Sequence, residues 1–313
     1  MLVVTVARRR MVAEQVVALE LRAPNNAKLP AFSAGSHIDV MLPNGLVRQY
    51  SLFNSPVETD RYEIAVLRDV KSRGGSLNVH DQLHEGVNFK ISAPRNLFPL
   101  QPQGSVLLFA GGIGITPLLA MAWQLHLDQR NFSLHYCTRS AVTTAFHSEL
   151  SRLPFAASVH CHFDDGHAAQ KLDISSVLAI APNAHLYVCG PSGFIDYVKT
   201  SAKMAGWAKN HLHSESFSPA ANALGNSFNI QLARRGITIT VSPEQSALEA
   251  LLLAGVEIPA SCEQGICGTC CTAILSGEPD HRDTFLTNSE RDANNSFLPC
   301  VSRAKSAELL LNL

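Results

Sequence analysis

The sequence carries almost no net charge: Lys plus Arg number 25 and Asp plus Glu 26 in 313 residues. No global field steers it toward nucleic acid or a membrane surface, and neither is expected as a partner. It also has no uninterrupted apolar run of membrane-spanning character. The uncharged stretch 106–125 is broken by Gly111, Gly112, Gly114 and Pro117, which favours strand, turn and helix over a span. The apolar start, Met1 to Val6, is too short for a signal-peptide core, and Arg8-Arg9-Arg10 follow it instead of preceding it. No export signal is expected. There is no G-x-S-x-G elbow and no C-x-x-C-H sequence, so hydrolase and c-type haem chemistry have no foothold. The thirteen histidines, such as His160, His162, His167, His211 and His213, lack the acid or thiol companions of a convincing ligand set.

What is present divides the chain in three. Short β-like runs, among them residues 12–21, 36–40, 48–53, 62–68 and 88–91, fill the first hundred positions and predict an antiparallel sandwich or barrel. From Gly104, apolar strand-like runs at 106–110, 132–137, 159–163 and 186–189 alternate with helical ones at 117–127 and 191–203. That alternation predicts a doubly wound parallel sheet. A small, polar stretch at 218–227 reads as a linker. Beyond it, 228–232 and 237–241 flank Arg235-Gly236 as a hairpin, and 247–254 reads as a helix. The expected domains are 1–100, 101–222 and 228–313.

Five of the eight cysteines lie within residues 262–300, a clustering that points to metal ligation in a reducing compartment. Cys262, Cys267 and Cys270 have C-x4-C-x2-C spacing, and Cys300 follows after 29 intervening residues. This is the plant-type 2Fe-2S ligand pattern. Soft thiolates suit iron, and glycines at 265 and 268 let the backbone wrap closely around the sulfurs. A structural zinc site is the alternative, although such sites usually pair two C-x2-C units and only one occurs here. Cys271 reads as a core thiol and not as a fifth ligand.

Ala110-Gly111-Gly112-Ile113-Gly114-Ile115-Thr116-Pro117 ends a strand and opens a helix, a junction that can accept a pyrophosphate on bare backbone and helix N-terminus. Many α/β proteins use such a turn simply to turn tightly. A second junction, Tyr187-Val188-Cys189-Gly190-Pro191, adds weight, since two strand ends can face one ligand across the sheet crevice. Cys189 is either a contact for a nicotinamide or a buried structural thiol. In the β-rich part, Arg48, Tyr50 and Leu52 of Arg48-Gln49-Tyr50-Ser51-Leu52 project to one face of a strand and Ser51 to the other.

The order of these motifs, R-x-Y-S-L, then G-G-I-G-I-T-P, C-G-P and the cysteine loop, resembles the ferredoxin-NADP reductase superfamily. More narrowly it resembles the phthalate dioxygenase reductase family, whose units bind FMN, NADH and a plant-type cluster, along essentially the whole chain. The resemblance implies a β-barrel flavin domain, a doubly wound α/β nucleotide domain and an α+β, β-grasp-like ferredoxin domain. It implies that Arg48, Tyr50, Ser51 and Leu52 contact FMN, with Arg73, Gly74, Gly75 and Ser76 gripping its phosphate. NAD contacts would come from Gly111, Gly112, Gly114, Thr116, Pro117, Thr138, Arg139, Cys189, Gly190 and Pro191. The segment His213-Ser214-Glu215-Ser216-Phe217 resembles the family's flavin-covering segment, which makes Phe217 the expected lid. Ser51, Cys189 and Phe217 would surround the reacting atoms. Arg139 could serve a 2'-phosphate, and Asp164-Asp165 either favour an unphosphorylated ribose or form a solvated turn before Gly166; the family pattern favours NADH.

The implied activity is hydride transfer from NADH to FMN, then single electrons through the cluster to a terminal Rieske non-haem iron oxygenase. A flavin reconciles a two-electron donor with a one-electron cluster. The chain lacks Rieske C-x-H…C-x2-H spacing, so oxygenation would occur on that partner. A redox-sensing iron-sulfur module and a flavin reductase with another acceptor are the competing readings. A cytoplasmic monomer is expected. From residue 228 on, ten acidic residues outnumber six basic ones. Glu263, Glu278, Asp280 and Asp283 are therefore expected to offer an acidic docking face.

Overall fold

The computed structural model describes residues 1–70, 74–217, 225–260, 262, 263 and 265–313. Among these, no helix is long and apolar enough to cross a membrane. The chain forms two compact units, Met1–Phe217 and Ser218–Leu313. The division expected near residue 100 separates two architectures within one unit.

The first architecture is antiparallel: β1 (Leu2–Ala13), β2 (Val16–Arg22), β3 (Ser36–Met41), β4 (Val47–Ser51), β5 (Tyr62–Leu67), then α1 (Gly75–Gln82), β6 (Asn88–Ile91) and β7 (Arg95–Asn96). The strands run in the order β4-β3-β6-β1-β2-β5, with β7 on β3. Leu52 bridges to Ile64 of β5, which brings the two ends of the sheet together as a barrel. Inside lie Val17, Leu19, Leu21, Ile38, Val40, Leu52 and Ile64, with Val79 and Leu83 from the α1 region. Two expectations change here. Residues 12–21 are not one run, because Gln15 turns with φ 65° and splits them into the β1–β2 hairpin. The Gly74-Gly75 turn opens a helix that the periodicity did not predict.

The second architecture comprises β8 (Val106–Gly111), α2 (Ile115–Leu127), β9 (Phe132–Thr138), α3 (His147–Leu150), β10 (Val159–Phe163), α4 (Ile174–Ile180), β11 (His185–Cys189), α5 (Ser192–Met204) and β12 (Leu212–Glu215). Its five strands are parallel in the order β10-β9-β8-β11-β12. The chain therefore winds outward in both directions from the β8/β11 boundary, the switch point where such sheets bind ligands. The outward side chains Val16, Ala18 and Ala65 of the barrel share a core with Leu118, Leu119 and Met121 of α2. This common core is why the two architectures make one unit.

The second unit contains β13 (Phe228–Leu232), β14 (Ile237–Val241), α6 (Ala247–Leu253), β15 (Thr272–Ser276), β16 (Pro279–Asp280), α7 (Asn288–Ala293), β17 (Ser296–Phe297), β18 (Arg303–Ala304) and β19 (Glu308–Leu311). Its main sheet runs β14-β13-β19-β15-β17, with β13 and β19 parallel at the centre. A capping box of Ser246 and Glu249 starts α6, whose Leu248 and Leu251 enter a core that also holds Cys270 and Cys300. The cysteine loop is thus anchored in the core at two of its four thiols.

Candidate functional site

On β4, alternation sends Arg48, Tyr50 and Leu52 to one face and Gln49 and Ser51 to the other, in register with Asp39 and His37 of β3. Leu52 is wholly buried in the barrel core, and its N–H donates to Ser36 O, so its side chain serves barrel closure. Tyr50 packs partly buried against that core, and burial pushes its phenol above the usual range. Behind the strand, the Gln49 amide donates to Asp39 at 3.0 Å and Arg95 donates to the same carboxylate at 2.6 Å. Burial, with Arg95 beside it, lowers His37 to about 4. That polar network holds β4 from its rear.

A phosphate cradle adjoins Arg48. Gly74 caps α1 with φ +83°, and among the described residues no side chain caps the helix N-terminus, whose positive end suits an anion. A Cβ on Gly75 would fall 2.7 Å from Arg48 Nε, so glycine there lets guanidinium and helix N-terminus converge. These groups fit the phosphate of FMN. Ser76 Oγ accepts the Asp69 N–H at 3.1 Å, tying the loop that leads into the helix. Arg73, expected to join this grip, lies outside the described residues.

At the switch point the structure brings both predicted strand ends together. A Cβ on Gly114 would lie 2.2 Å from Cys189 O, and one on Gly190 would lie 2.9 Å from Gly111 Cα. The backbones of the two junctions touch, which only glycine permits. Helix α2 opens there without a side-chain cap; Thr116 Oγ1 donates to Ile113 O at 3.1 Å, and Pro117 is buried in the first turn. Pro191 flanks α5 as its cap residue. This crevice fits a dinucleotide pyrophosphate.

Cys189 is fully buried, and burial, then the nearby Glu215 carboxyl, hold its thiol well above the normal range. Glu215 pairs with it in register across β11 and β12. Burial pushes Glu215 up to about 8, and its Oε2 is buried without a hydrogen-bond partner among the described residues. Glu215 lies in the segment that ends at Phe217, and nothing in the sequence alone assigns it a role. Its signal was an acid two positions before the aromatic on an edge strand. Phe217 itself is 41% exposed, too open for a core anchor. Thr138 is buried with its hydroxyl 2.6 Å from that of Thr144, while Arg139 is exposed and its carbonyl accepts the Asp165 N–H.

The cluster loop holds its four thiols as two pairs. Cys262, as hydrogen-bonding partner, and Thr269 Oγ1, 3.2 Å away, hold the Cys267 thiol down to about 5 despite burial. Cys270 is lowered by its partner Cys300, which is raised in turn by Cys270. Among the described residues, no three His, Cys, Asp or Glu donors group around a single metal point. A two-plus-two arrangement of thiols fits a cluster of two irons, each needing two protein sulfurs. All eight cysteines are unpaired by disulfides.

One expectation in this unit fails and another is narrowed. Cys271 is exposed and is not a core thiol. The acidic face is largely neutralised: Asp283 is 4% exposed and accepts the Leu286 N–H at 2.8 Å and the Ser302 hydroxyl at 3.3 Å. Asp280 pairs with Arg282 at 2.6 Å and Glu278 with Lys305 at 2.9 Å, while Glu263 is half-buried. Proximity in sequence did not reveal those partners. The exposed side chains at the loop include apolar ones, Ile266 and Phe285, the latter's ring lying against Gly268.

Two family models match the chain. Residues 108–200 match the oxidoreductase NAD-binding domain and residues 230–305 the 2Fe-2S iron-sulfur cluster binding domain. The chain is 48% identical to vanillate O-demethylase oxidoreductase of Pseudomonas sp. (strain HR199 / DSM 7063), covering 100% of both. It is 43% identical to phthalate dioxygenase reductase of Burkholderia cepacia, covering 98% of this chain and 96% of that protein. A solved structure of phthalate dioxygenase reductase, described as modular for electron transfer from pyridine nucleotides to 2Fe-2S, aligns with TM-score 0.78 at 42% identity, covering 100% and 98%. With barrel, switch-point crevice and paired-thiol loop in one chain, the protein belongs to the phthalate dioxygenase reductase family of NADH-linked flavin and 2Fe-2S oxidoreductases.

Proposed function

We propose that the protein is the NADH-dependent reductase component of a Rieske-type oxygenase system that hydroxylates or O-demethylates an aromatic compound. The observation that carries this reading is the coexistence of a dinucleotide crevice and a paired four-thiol loop in one chain. When bound, FMN accepts a hydride and releases electrons one at a time, as a 2Fe-2S cluster requires.

The chain's own residues do the positioning. Arg48 and the N-terminus of α1 bind the FMN phosphate, Tyr50 packs on the ring and Ser51 hydrogen-bonds at its reactive edge. The glycines at 111, 114 and 190 let NADH lie against backbone at the start of α2, with Thr138 and Arg139 toward the adenosine. Cys189, kept neutral by burial, offers an uncharged wall to the nicotinamide and excludes water. Burial raises the Glu215 carboxyl toward about 8 and so favours its protonated form beside Cys189. Phe217 covers the flavin. Cys262 with Cys267, and Cys270 with Cys300, hold the two irons, and Ile266 and Phe285 flank the electron exit toward the oxygenase. The unpaired cysteines support a reducing, cytoplasmic setting, and we take the chain to be a monomer.

The test is composition with coupling. Purified protein should release FMN, contain about two irons and two acid-labile sulfides per chain, and support NADH-driven turnover of a Rieske oxygenase. Zinc in place of iron, or NADH oxidation that never reaches an oxygenase, would sink the proposal.

A further inference from the structure

We infer that Phe146 is a positioning residue for hydride transfer, fixing the nucleotide-binding sheet against the flavin barrel; this rests on the proposed function. Phe146 adopts φ 63°, ψ 12°, a left-handed conformation in which a bulky non-glycine residue is a genuine outlier, and it is 2% exposed. Such strain persists only where the surroundings over-determine it, and it gathers at functional sites. Here the surroundings come from both architectures. Phe146 N–H donates to Val12 O at 3.1 Å and Glu14 N–H to Val142 O at 3.2 Å, so residues 142–146 lie along the β1–β2 turn. The Arg10 guanidinium stands 5.7 Å above the Phe146 ring and pairs with Glu149 one helical turn on.

The same residue joins the two reacting sides. Its ring packs 4.7 Å from that of Phe53, two residues beyond Ser51 on the flavin strand, and the Phe53 N–H donates to Glu63 O. Behind it, the Thr144 hydroxyl bonds that of Thr138, and the Ala145 N–H donates to the Tyr136 hydroxyl at 3.1 Å, both on β9. A short series of buried contacts thus runs from the flavin strand to the strand end assigned to the adenosine. The seam is not packed throughout. A cavity of about 120 Å³, lined in part by Arg10, Phe53, Ser55, Phe146 and Glu149, opens beside the ring, and Ser55 Oγ is buried there without a partner among the described residues. Phe146 adds to the shared core a backbone contact with the β1–β2 turn and a ring contact with Phe53 at this edge of the seam. An ordinary core residue would need burial alone; a strained backbone gripped from both sides sets a distance and an angle.

The experiment uses Phe146→Leu and the milder Arg10→Met. In the holoprotein, the rate of flavin reduction at saturating NADH should fall about tenfold for Phe146→Leu, since a 1 Å misplacement can cost about a hundredfold. The isotope effect with 4-deuterated NADH should rise, and NADH affinity should change less than about twofold, a kcat effect and not a KM effect. Arg10→Met should show the same pattern at about threefold, and it decides the matter if Phe146→Leu does not fold. In the flavin-free chain, the amides of residues 14 and 146 should exchange faster in both variants. A lowered Tm with parental hydride rate and isotope effect would overturn the inference and leave Phe146 as a packing residue. Failure of the parent itself to be reduced by NADH strikes the proposed function instead, while the exchange measurement still reads the seam.

Discussion

The crevice and the cluster loop both depend on glycine, for opposite physical reasons. Gly114 has an ordinary φ of −63°, which any residue could adopt, yet a Cβ there would meet a backbone carbonyl at 2.2 Å. Gly268 has a left-handed φ of +72°, and its Cβ would meet the far end of the Phe285 ring at 2.3 Å, a side chain 47% exposed and able to swing away. One site is closed by main chain against main chain; the other by conformation and a movable ring. A fold tolerates the second kind of crowding far better, because backbone cannot yield without moving a strand. The crevice is therefore the stiffer of the two.

The largest effect should come from breaking the stiff side. Gly114→Ala should abolish NADH-driven flavin reduction, by about a hundredfold or more, while dithionite still reduces an intact cluster; a parental stopped-flow rate would erase the contrast. Gly268→Ala should be milder: iron and sulfide content fall, and flavin reduction by NADH survives. Adding Phe285→Ala should recover part of the iron but not all, because the left-handed strain of about 1 kcal/mol remains. Full recovery would mean that crowding alone matters.

Next comes Glu215→Gln. Folding raises this carboxyl from 4.5 to about 8, so between those values the native state keeps a proton the unfolded chain has released. Stability therefore declines as pH rises through that window and levels off above it. Thermal melts from pH 5 to 9 should show a flatter profile for the glutamine variant; an unchanged slope would place the titration elsewhere. The smallest effect is expected for Asp280→Asn. That carboxylate is already paired on the surface with Arg282, so coupled turnover with an oxygenase should change less than about twofold at low salt.

Sequence pattern was most informative where chemistry imposes spacing or period. The C-x4-C-x2-C run, the hairpin at 228–241 and the alternation that yields β8, α2 and β11 could all be read in advance. Residues 12–21 misled because both halves of a hairpin were β-like and the turn at Glu14-Gln15 contains neither glycine nor proline. Helix α1 was hidden because it starts in a Gly-Gly pair and has few apolar residues to show a period. The acidic face is narrower than expected for a tertiary reason: Asp283 is buried against Ser302, and Asp280 and Glu278 meet Arg282 and Lys305, pairings that linear proximity does not expose. Glu215 needed the β11–β12 register before its place opposite Cys189 was visible.

The central claim is that electrons enter at the crevice and leave through the four thiols. Anaerobic titration of the holoprotein with NADH, followed by visible absorbance and electron paramagnetic resonance, tests it most directly. The account predicts bleaching of the flavin accompanied by a reduced-cluster signal, both developing about a hundredfold more slowly in Gly114→Ala. Flavin bleaching with a cluster that stays oxidised under NADH yet accepts electrons from dithionite would contradict it.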